Sequence, residues 1–335
     1  MSPITVLGAG AWGTTLAQVL SDAGNEVLIW GRNPAVINEL NNSHTNTGYL
    51  PGALLPPQLR GTTSIDEAMA HSQTYVFAIP AQSLRHKLEE WRSIVASGST
   101  IISTLKGIEV STHMRMTEVI VDVLEIDPTQ VAIITGPNLS SELALRQPAA
   151  AVAAALSEEL AHRVQKLFTT PYYRVYISTD VVGCEMAGAV KSVIALGVGI
   201  AVGLGLGENT QAMLITRGLN EVARLGAAHG ADPLSAAGLA GMGDLVASCG
   251  SPLSRNRTFG EALGRGGTME YAVAHVAKTV EGVASAGAVV ELAHRVGVEV
   301  PVIEAVADVV SSSISPSQAM ERLMKISTRS EDFIK

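Results

Sequence analysis

Near the start of the chain, Gly8-Ala9-Gly10-Ala11-Trp12-Gly13 spells G-x-G-x-x-G between an apolar run and a helical pattern. In that context each glycine has a job. Gly8 permits the tight turn, Gly10 lets backbone approach a pyrophosphate, and Gly13 allows close helix–strand packing. The helix that opens at Trp12 would turn free N–H groups and a positive dipole end toward the phosphates. After the second β-rich run, an NAD-selective site usually places Asp or Glu against the ribose 2′-OH. Here the residues are Gly31-Arg32-Asn33. Arg32 suits a 2′-phosphate and favours NADP(H), with NAD(H) also open. The other reading of Arg32 is a solvated loop charge.

Reduction of a carbonyl by a nicotinamide also needs a proton donor. The eight histidines form no H-x-x-x-H pair, and neither Cys184 nor Cys249 joins them, so no metal site is expected. The histidines read as surface or capping residues. Two lysines are better placed. Lys106 follows the apolar run Ile101–Leu105, at the carboxyl end of a strand, where open sheets bind ligands. Lys191 stands alone in the apolar stretch Met186–Ile194. It is either a buried acid–base group, since burial lowers an ammonium pKa, or a snorkelling surface lysine. The pattern leaves both open. Ser251-Pro252-Leu253-Ser254-Arg255-Asn256-Arg257 combines a turn, two guanidinium groups and hydrogen-bonding side chains. It is an anion-site candidate, or else a solvated basic loop. Asp244, in Gly241-Met242-Gly243-Asp244, could hydrogen-bond a lysine or a hydroxyl.

These residues need a frame. Strands are expected at 4–7, 26–30, 74–79, 100–104, 131–135 and 173–177, alternating with helices such as 12–23, which means parallel βαβ units. Residues 41–61, rich in Asn, Gly and Pro, break the pattern as a long irregular loop. Beyond 177 little β signal remains. Ile215, Leu219, Val222 and Leu225 mark one helix face, with Gly226 as a possible stop. Ala286, Val290, Ala293 and Val296 mark another, with Gly297 at its end. The expected class is therefore α/β, with a Rossmann-like doubly wound sheet over 1–179 and an all-helical domain over 180–335.

The chain has 335 residues and net charge −8. Two domains fit that length. An acidic balance without a basic block argues against nucleic acid and anionic membrane surfaces as main partners. The N-terminus lacks the charged lead-in of a signal peptide. The run Val193–Gly207 looks too short and too glycine-rich to span a membrane. Two cysteines give no disulfide framework, so a reducing cytoplasm is expected.

Several separated blocks, taken together, resemble bacterial-type NAD(P)-dependent glycerol-3-phosphate dehydrogenase. They are Gly8–Gly13, the loop with His44, Asn46 and Tyr49-Leu50-Pro51-Gly52, Lys106-Gly107-Ile108-Glu109, and Gly136-Pro137-Asn138 with Glu142. Further on come Glu185–Lys191, Leu214–Leu219, Gly243-Asp244-Leu245, Ser254-Arg255-Asn256 and Val280-Glu281-Gly282, in the family's order. The resemblance runs from about residue 4 to about 310. It implies reversible conversion of dihydroxyacetone phosphate and NAD(P)H to sn-glycerol 3-phosphate, feeding glycerophospholipid synthesis, in a cytoplasmic homodimer. It implies Lys191 as proton donor and acceptor, and Lys106 as a lysine touching substrate and cofactor. Gly136, Asn138, Asp244, Ser254, Arg255 and Asn256 match substrate positions, with Arg255 and Asn256 on the phosphate. Ala11, Trp12, Arg32, Ser140, Arg255, Thr279 and Glu281 match cofactor positions. Ser192, Gln211, Ser140 and Thr279 depart from the family's common residues. Ser192, next to Lys191, bears on how the substrate is oriented. Two rivals are a lysine-using hydroxy-acid dehydrogenase, which would bind a carboxylate, and a silent NADP-binding sensor, which would not need Lys106, Lys191, Asp244 and Arg255 together.

Overall fold

The computed structural model describes residues 2–276 and 279–326. Met1 and the tail of the expected second domain, 327–335, lie outside them. Eight strands form one sheet: β1 (Pro3–Leu7), β2 (Glu26–Trp30), β3 (Arg60–Thr62), β4 (Thr74–Phe77), β5 (Thr100–Ser103), β6 (Val131–Thr135), β7 (Ala149–Ala155) and β8 (Tyr173–Ser178). Their order is β3-β2-β1-β4-β5-β6-β7-β8. Every neighbouring pair is parallel except β6 and β7, which run antiparallel. Parallel strands need cover on both faces, and β1, β2, β4 and β5 are accordingly buried almost throughout. The doubly wound architecture expected from the alternating pattern is present.

Two strands lie outside the expected set. β3 has only three residues and sits at the sheet's edge, within the end of the expected loop 41–61. β7 reads Ala-Ala-Ala-Val-Ala-Ala-Ala, a sequence with almost no strand propensity. Partners on both sides hold it in place, and its small side chains sit at 0 % exposure at Ala151, Ala153, Ala154 and Ala155. At the other end of the expected loop, Ser43 closes the helix Pro34–Ser43.

The chain clusters into two compact units, Met1–Leu105 with Met116–Val181, and Lys106–Arg115 with Val182–Lys335. The second unit takes a ten-residue excursion, 106–115, from the first half of the chain. Its core centres on the helix Val181–Gly203. The helix is 23 residues long with mean hydropathy 1.8 in its most apolar window, so length and composition alone would let it cross a bilayer. Of the run judged short in the sequence, residues 193–203 are the second half of this longer helix and 204–207 lie beyond its end. Burial accounts for its apolarity, because 83 % of that window is covered within the protein.

The glycines of this helix have a packing function. A Cβ on Gly199 would stand 2.1 Å from the Arg257 carbonyl oxygen, and one on Gly203 would stand 2.3 Å from that of Glu261. Reciprocally, a Cβ on Gly260 would meet the Leu196 carbonyl at 2.1 Å, and one on Gly264 that of Ile200 at 2.2 Å. Two G-x-x-x-G faces therefore cross backbone to backbone. The helix Arg255–Gly264 is held tight against the helix that carries Lys191. Gly226 does not end its helix, as expected, but lies buried inside Glu208–Ala228. The backbone turns over instead at Gly230, with φ 85°. Gly297, with φ 68°, follows the helix Glu281–Arg295 as the pattern anticipates.

Candidate active site

The first unit presents the glycine loop. Gly8 has φ 126°, and a Cβ there would meet the Ala78 carbonyl oxygen at 2.4 Å. A Cβ on Gly13 would stand 1.8 Å from the Gly8 carbonyl oxygen. Gly10 differs, since nothing lies within 4 Å of its Cβ position. So Gly8 and Gly13 are demanded by packing, while Gly10 leaves an open approach to backbone. Gly10 also N-caps the helix Ala11–Asp22, with no side-chain cap and no acidic residue in the first turn. Those N–H groups suit an anion. Half-buried Trp12 packs on the sheet's core, and Ala11 packs with Leu50, Ala53 and Ala144. The loop after the helix Pro34–Ser43 braces the turn. Buried Asn46 donates from Nδ2 to the Ala9 carbonyl at 3.2 Å and to Thr14 Oγ1 at 2.8 Å. Arg32 is exposed after β2, while the neighbouring Asn33 caps the next helix by accepting from Ala35 N.

Elsewhere in the same unit, Gly136 leaves β6 with φ 142°, close against Ala150 and Ala151. Beyond it, the Asn138 amide has both its oxygen and its nitrogen buried with no hydrogen-bond partner among the described residues. Buried unsatisfied amides are costly and rare. Ser140 is tied in through its carbonyl, which accepts from Thr15 Oγ1 at 3.2 Å.

The second unit holds the titratable centre. Lys106 Nζ donates to Asp244 Oδ2 at 2.5 Å, and Lys191 Nζ to Asp244 Oδ1 at 3.1 Å. Side-chain exposures are 18 %, 11 % and 4 % for Lys106, Lys191 and Asp244. Lys191 is therefore a buried lysine and not a snorkelling surface one. Burial pulls the Lys106 ammonium below the ordinary lysine value, and Asp244 only partly offsets this. Burial would raise the Asp244 carboxyl, but the two ammonium groups outweigh it and hold the pKa below its ordinary value. Beside them, burial pushes the Cys249 thiol up to about 12, so it stays neutral. Two ammonium groups share this one carboxylate in a compact cluster. Ser248 completes it, accepting from Lys191 Nζ at 2.7 Å and donating to Asp244 Oδ1 at 3.3 Å. Sequence reasoning missed Ser248. Its signal was the i, i+4 spacing from Asp244, on a helix (Asp244–Gly250) not recognised as one.

The expected anion segment is a helix start. Buried Ser254 caps Arg255–Gly264, accepting from Arg257 N at 3.4 Å. Asn256 Oδ1 accepts from Gly282 N at 3.0 Å, which leaves the amide nitrogen as the group able to donate outward. Arg255 is exposed and donates from Nη1 to the Thr279 carbonyl at 2.7 Å. That bond places Arg255 and Thr279 together, and Glu281 begins the helix that Asn256 caps. Lys106, Lys191, Asp244, Ser254, Arg255, Asn256, Thr279 and Glu281 all belong to this unit. Gly8, Gly10, Ala11, Trp12, Gly13, Arg32, Gly136, Asn138 and Ser140 belong to the first.

A glycine-loop cradle on one unit, with a buried proton-bearing cationic cluster on the other, defines a nicotinamide-linked dehydrogenase. Within that class the match is narrow. The family model for the NAD-dependent glycerol-3-phosphate dehydrogenase N-terminus covers residues 3–161, and that for its C-terminus covers 180–321. The chain belongs to the NAD-dependent glycerol-3-phosphate dehydrogenase family, as the ordered blocks implied. A relative named glycerol-3-phosphate dehydrogenase [NAD(P)+] from Thermobifida fusca is 49 % identical over 334 residues, 99 % of each chain. One of the same name from Corynebacterium glutamicum is also 49 % identical, over 99 % of this chain and 100 % of its own. The crystal structure of glycerol-3-phosphate dehydrogenase from Coxiella burnetii superposes with a TM-score of 0.92 at 31 % identity, covering 97 % of this chain and 99 % of that one.

Proposed function

We propose that the chain catalyses reversible hydride transfer between NAD(P)H and dihydroxyacetone phosphate, giving sn-glycerol 3-phosphate, with Lys191 as proton donor and acceptor. The observation that carries this reading is the buried Lys106–Asp244–Lys191 cluster, in which two lysines share one carboxylate. When bound, the nicotinamide supplies or takes the hydride. The chain's own part is to manage charge and protons. As the carbonyl carbon gains a hydride, its oxygen becomes an alkoxide, and the cationic cluster stabilises that charge. Lys191 then gives a proton from Nζ, while Asp244 and Ser248 fix the direction of the ammonium. Lys106 adds a second positive field from the other carboxylate oxygen. In the reverse direction neutral Lys191 accepts the proton.

Arg255 and the amide nitrogen of Asn256 hold the phosphate, and Gly136 and Asn138 match further substrate positions of the family. Anchoring the phosphate fixes the distance to the reacting carbon. Gly8, Gly10, Ala11, Trp12 and Gly13 take the pyrophosphate, Arg32 the 2′-phosphate, and Ser140, Arg255, Thr279 and Glu281 complete the cofactor contacts. The family resemblance further supports a cytoplasmic homodimer and a supply role for glycerophospholipids. Loss of reduced-nicotinamide absorbance with dihydroxyacetone phosphate, run with NADPH and NADH in parallel, tests the proposal. Turnover with preference for NADPH is expected. Cofactor binding with no turnover on the phosphorylated ketone, but turnover on a 2-keto acid, would overturn it.

A further inference from the structure

We propose that Arg115 and Glu185 are positioning residues that set Lys106 against Asp244, a role that rests on the electrostatic part given to Lys106 above. The excursion Lys106–Arg115 behaves as a small closed loop. Ile108 pairs antiparallel with Arg115, Glu109 N donates to the Met114 carbonyl at 2.9 Å, and His113, with φ 65°, turns the chain back. Ile108, at 0 % exposure, buries its side chain in the core of the helical unit. At the base of the loop, Arg115 Nη1 meets Glu185 Oε2 at 2.8 Å, with side-chain exposures of 15 % and 2 %. At its far end, His113 Nε2 meets Glu291 Oε2 at 2.7 Å, but that glutamate is 65 % exposed.

Ion pairs in water hold little, whereas a buried, charge-assisted Arg–carboxylate pair fixes geometry. The base pair is therefore the anchor. Glu185 lies on the helix Val181–Gly203, as does Lys191. Across the bridge, Arg115 stands opposite Ile108, two residues beyond Lys106. The circuit is closed: one helix carries Lys191 and Glu185, the loop carries Lys106 and Arg115, and Asp244 joins the two lysines. A lysine has a long flexible stem. Holding its Nζ on one carboxylate oxygen, while a second ammonium holds the other, requires a fixed backbone at its root. The Arg115–Glu185 pair supplies that fixed root.

A double-mutant cycle tests this. Arg115→Met is measured alone and in a Lys106→Ala background, with thermal melting as the folding control. The expected result is a loss of kcat of about tenfold or more alone, and less than about twofold once Lys106 is gone, because Arg115 then has nothing to place. Arg115→Lys, which keeps charge without the planar fork, should recover part of the loss. If Arg115→Met does not fold, Glu185→Asp carries the same cycle, since it keeps the pair but retracts the carboxylate. Equal fold-losses in both backgrounds would overturn the positioning role and leave a purely structural ion pair. An unimpaired Lys106→Ala enzyme would instead overturn the role of Lys106, and the proposal with it.

Discussion

At the scale of single residues, the proposed chemistry turns on how Asp244 is shared. Each of its oxygens holds one ammonium, Lys106 at 2.5 Å and Lys191 at 3.1 Å. Burial, reinforced by the neighbouring Lys191, lowers the Lys106 pKa from its ordinary 10.5. Lys106 thus sheds its proton at a lower pH than a free lysine, and the cluster loses one positive charge there. The alkaline limb of kcat/KM should accordingly fall below pH 10.5, and a pH–rate profile checks it. A limb at or above the ordinary lysine value would contradict the geometry. At the anion end, Arg255 already spends one N–H on the Thr279 carbonyl and keeps the rest of its guanidinium fork. Arg255→Ala should raise KM for the phosphorylated ketone by about 10- to 100-fold, the worth of a hydrogen bond to a charged group, with a smaller effect on kcat. Steady-state kinetics at saturating cofactor reads this directly. Lys106, Lys191 and Asp244 could be singled out in the sequence because each carried a local anomaly, a lysine in or after an apolar run or an acid among glycines. Gly136, Asn138, Ser140, Thr279 and Glu281 entered only through the family resemblance. Ser248 carried no such anomaly. A serine on a helix is unremarked until its neighbours one turn away are known to be charged.

At the scale of elements, glycine decides how closely the parts of the helical unit approach. The Gly199/Gly203 and Gly260/Gly264 faces allow the helix bearing Arg255 and Asn256 to lie on the helix bearing Lys191. Gly260→Ala places a Cβ 2.1 Å from a backbone carbonyl oxygen, which a flexible side chain cannot relieve. We expect a loss of about 1–3 kcal/mol in stability, as in other overpacked cores, measured by denaturant unfolding. An unchanged midpoint would mean that the helices can separate freely. Sequence periodicity identified the strands rich in Val and Ile, because their composition and burial agree. It did not identify β7, whose alanines carry no strand signal and which exists because β6 and β8 hydrogen-bond to it on either side. Nor could it assign 106–115 to the helical unit. That assignment depends on contacts distant in sequence, such as Ile108 in the helical core and the ion pairs of Arg115 and Lys106 with Glu185 and Asp244, 70 and 138 residues away in the chain.

At the scale of the whole molecule, one buried acid links stability to pH. Glu221 accepts from Val302 N at 2.8 Å and Ile303 N at 3.1 Å, capping the helix Pro301–Val310. Burial nevertheless pushes its pKa up to about 7, with the two backbone N–H groups opposing that rise. Its folded pKa exceeds its unfolded value, so the folded state binds the proton more tightly. This contribution to stability is fully present below the ordinary pKa of 4.5, and is lost as pH rises through about 7. Wild type should lose roughly 3 kcal/mol relative to Glu221→Gln across that window, measured by unfolding at each pH. Parallel curves would show that folding does not raise the Glu221 pKa. The two-unit plan, the dinucleotide loop and the family were legible because they rest on short, contiguous blocks. The charge balance of the cluster was not, because it depends on three side chains brought together from distant parts of the chain. That cluster is the core of the functional reading. The measurement that tests it most directly is kcat for Lys191→Ala beside wild type, at saturating dihydroxyacetone phosphate and NADPH, with melting curves for both. A loss of about 100- to 10,000-fold, in a protein that melts as wild type does, is the predicted result. A folded Lys191→Ala enzyme with near-normal kcat would contradict Lys191 as the proton donor.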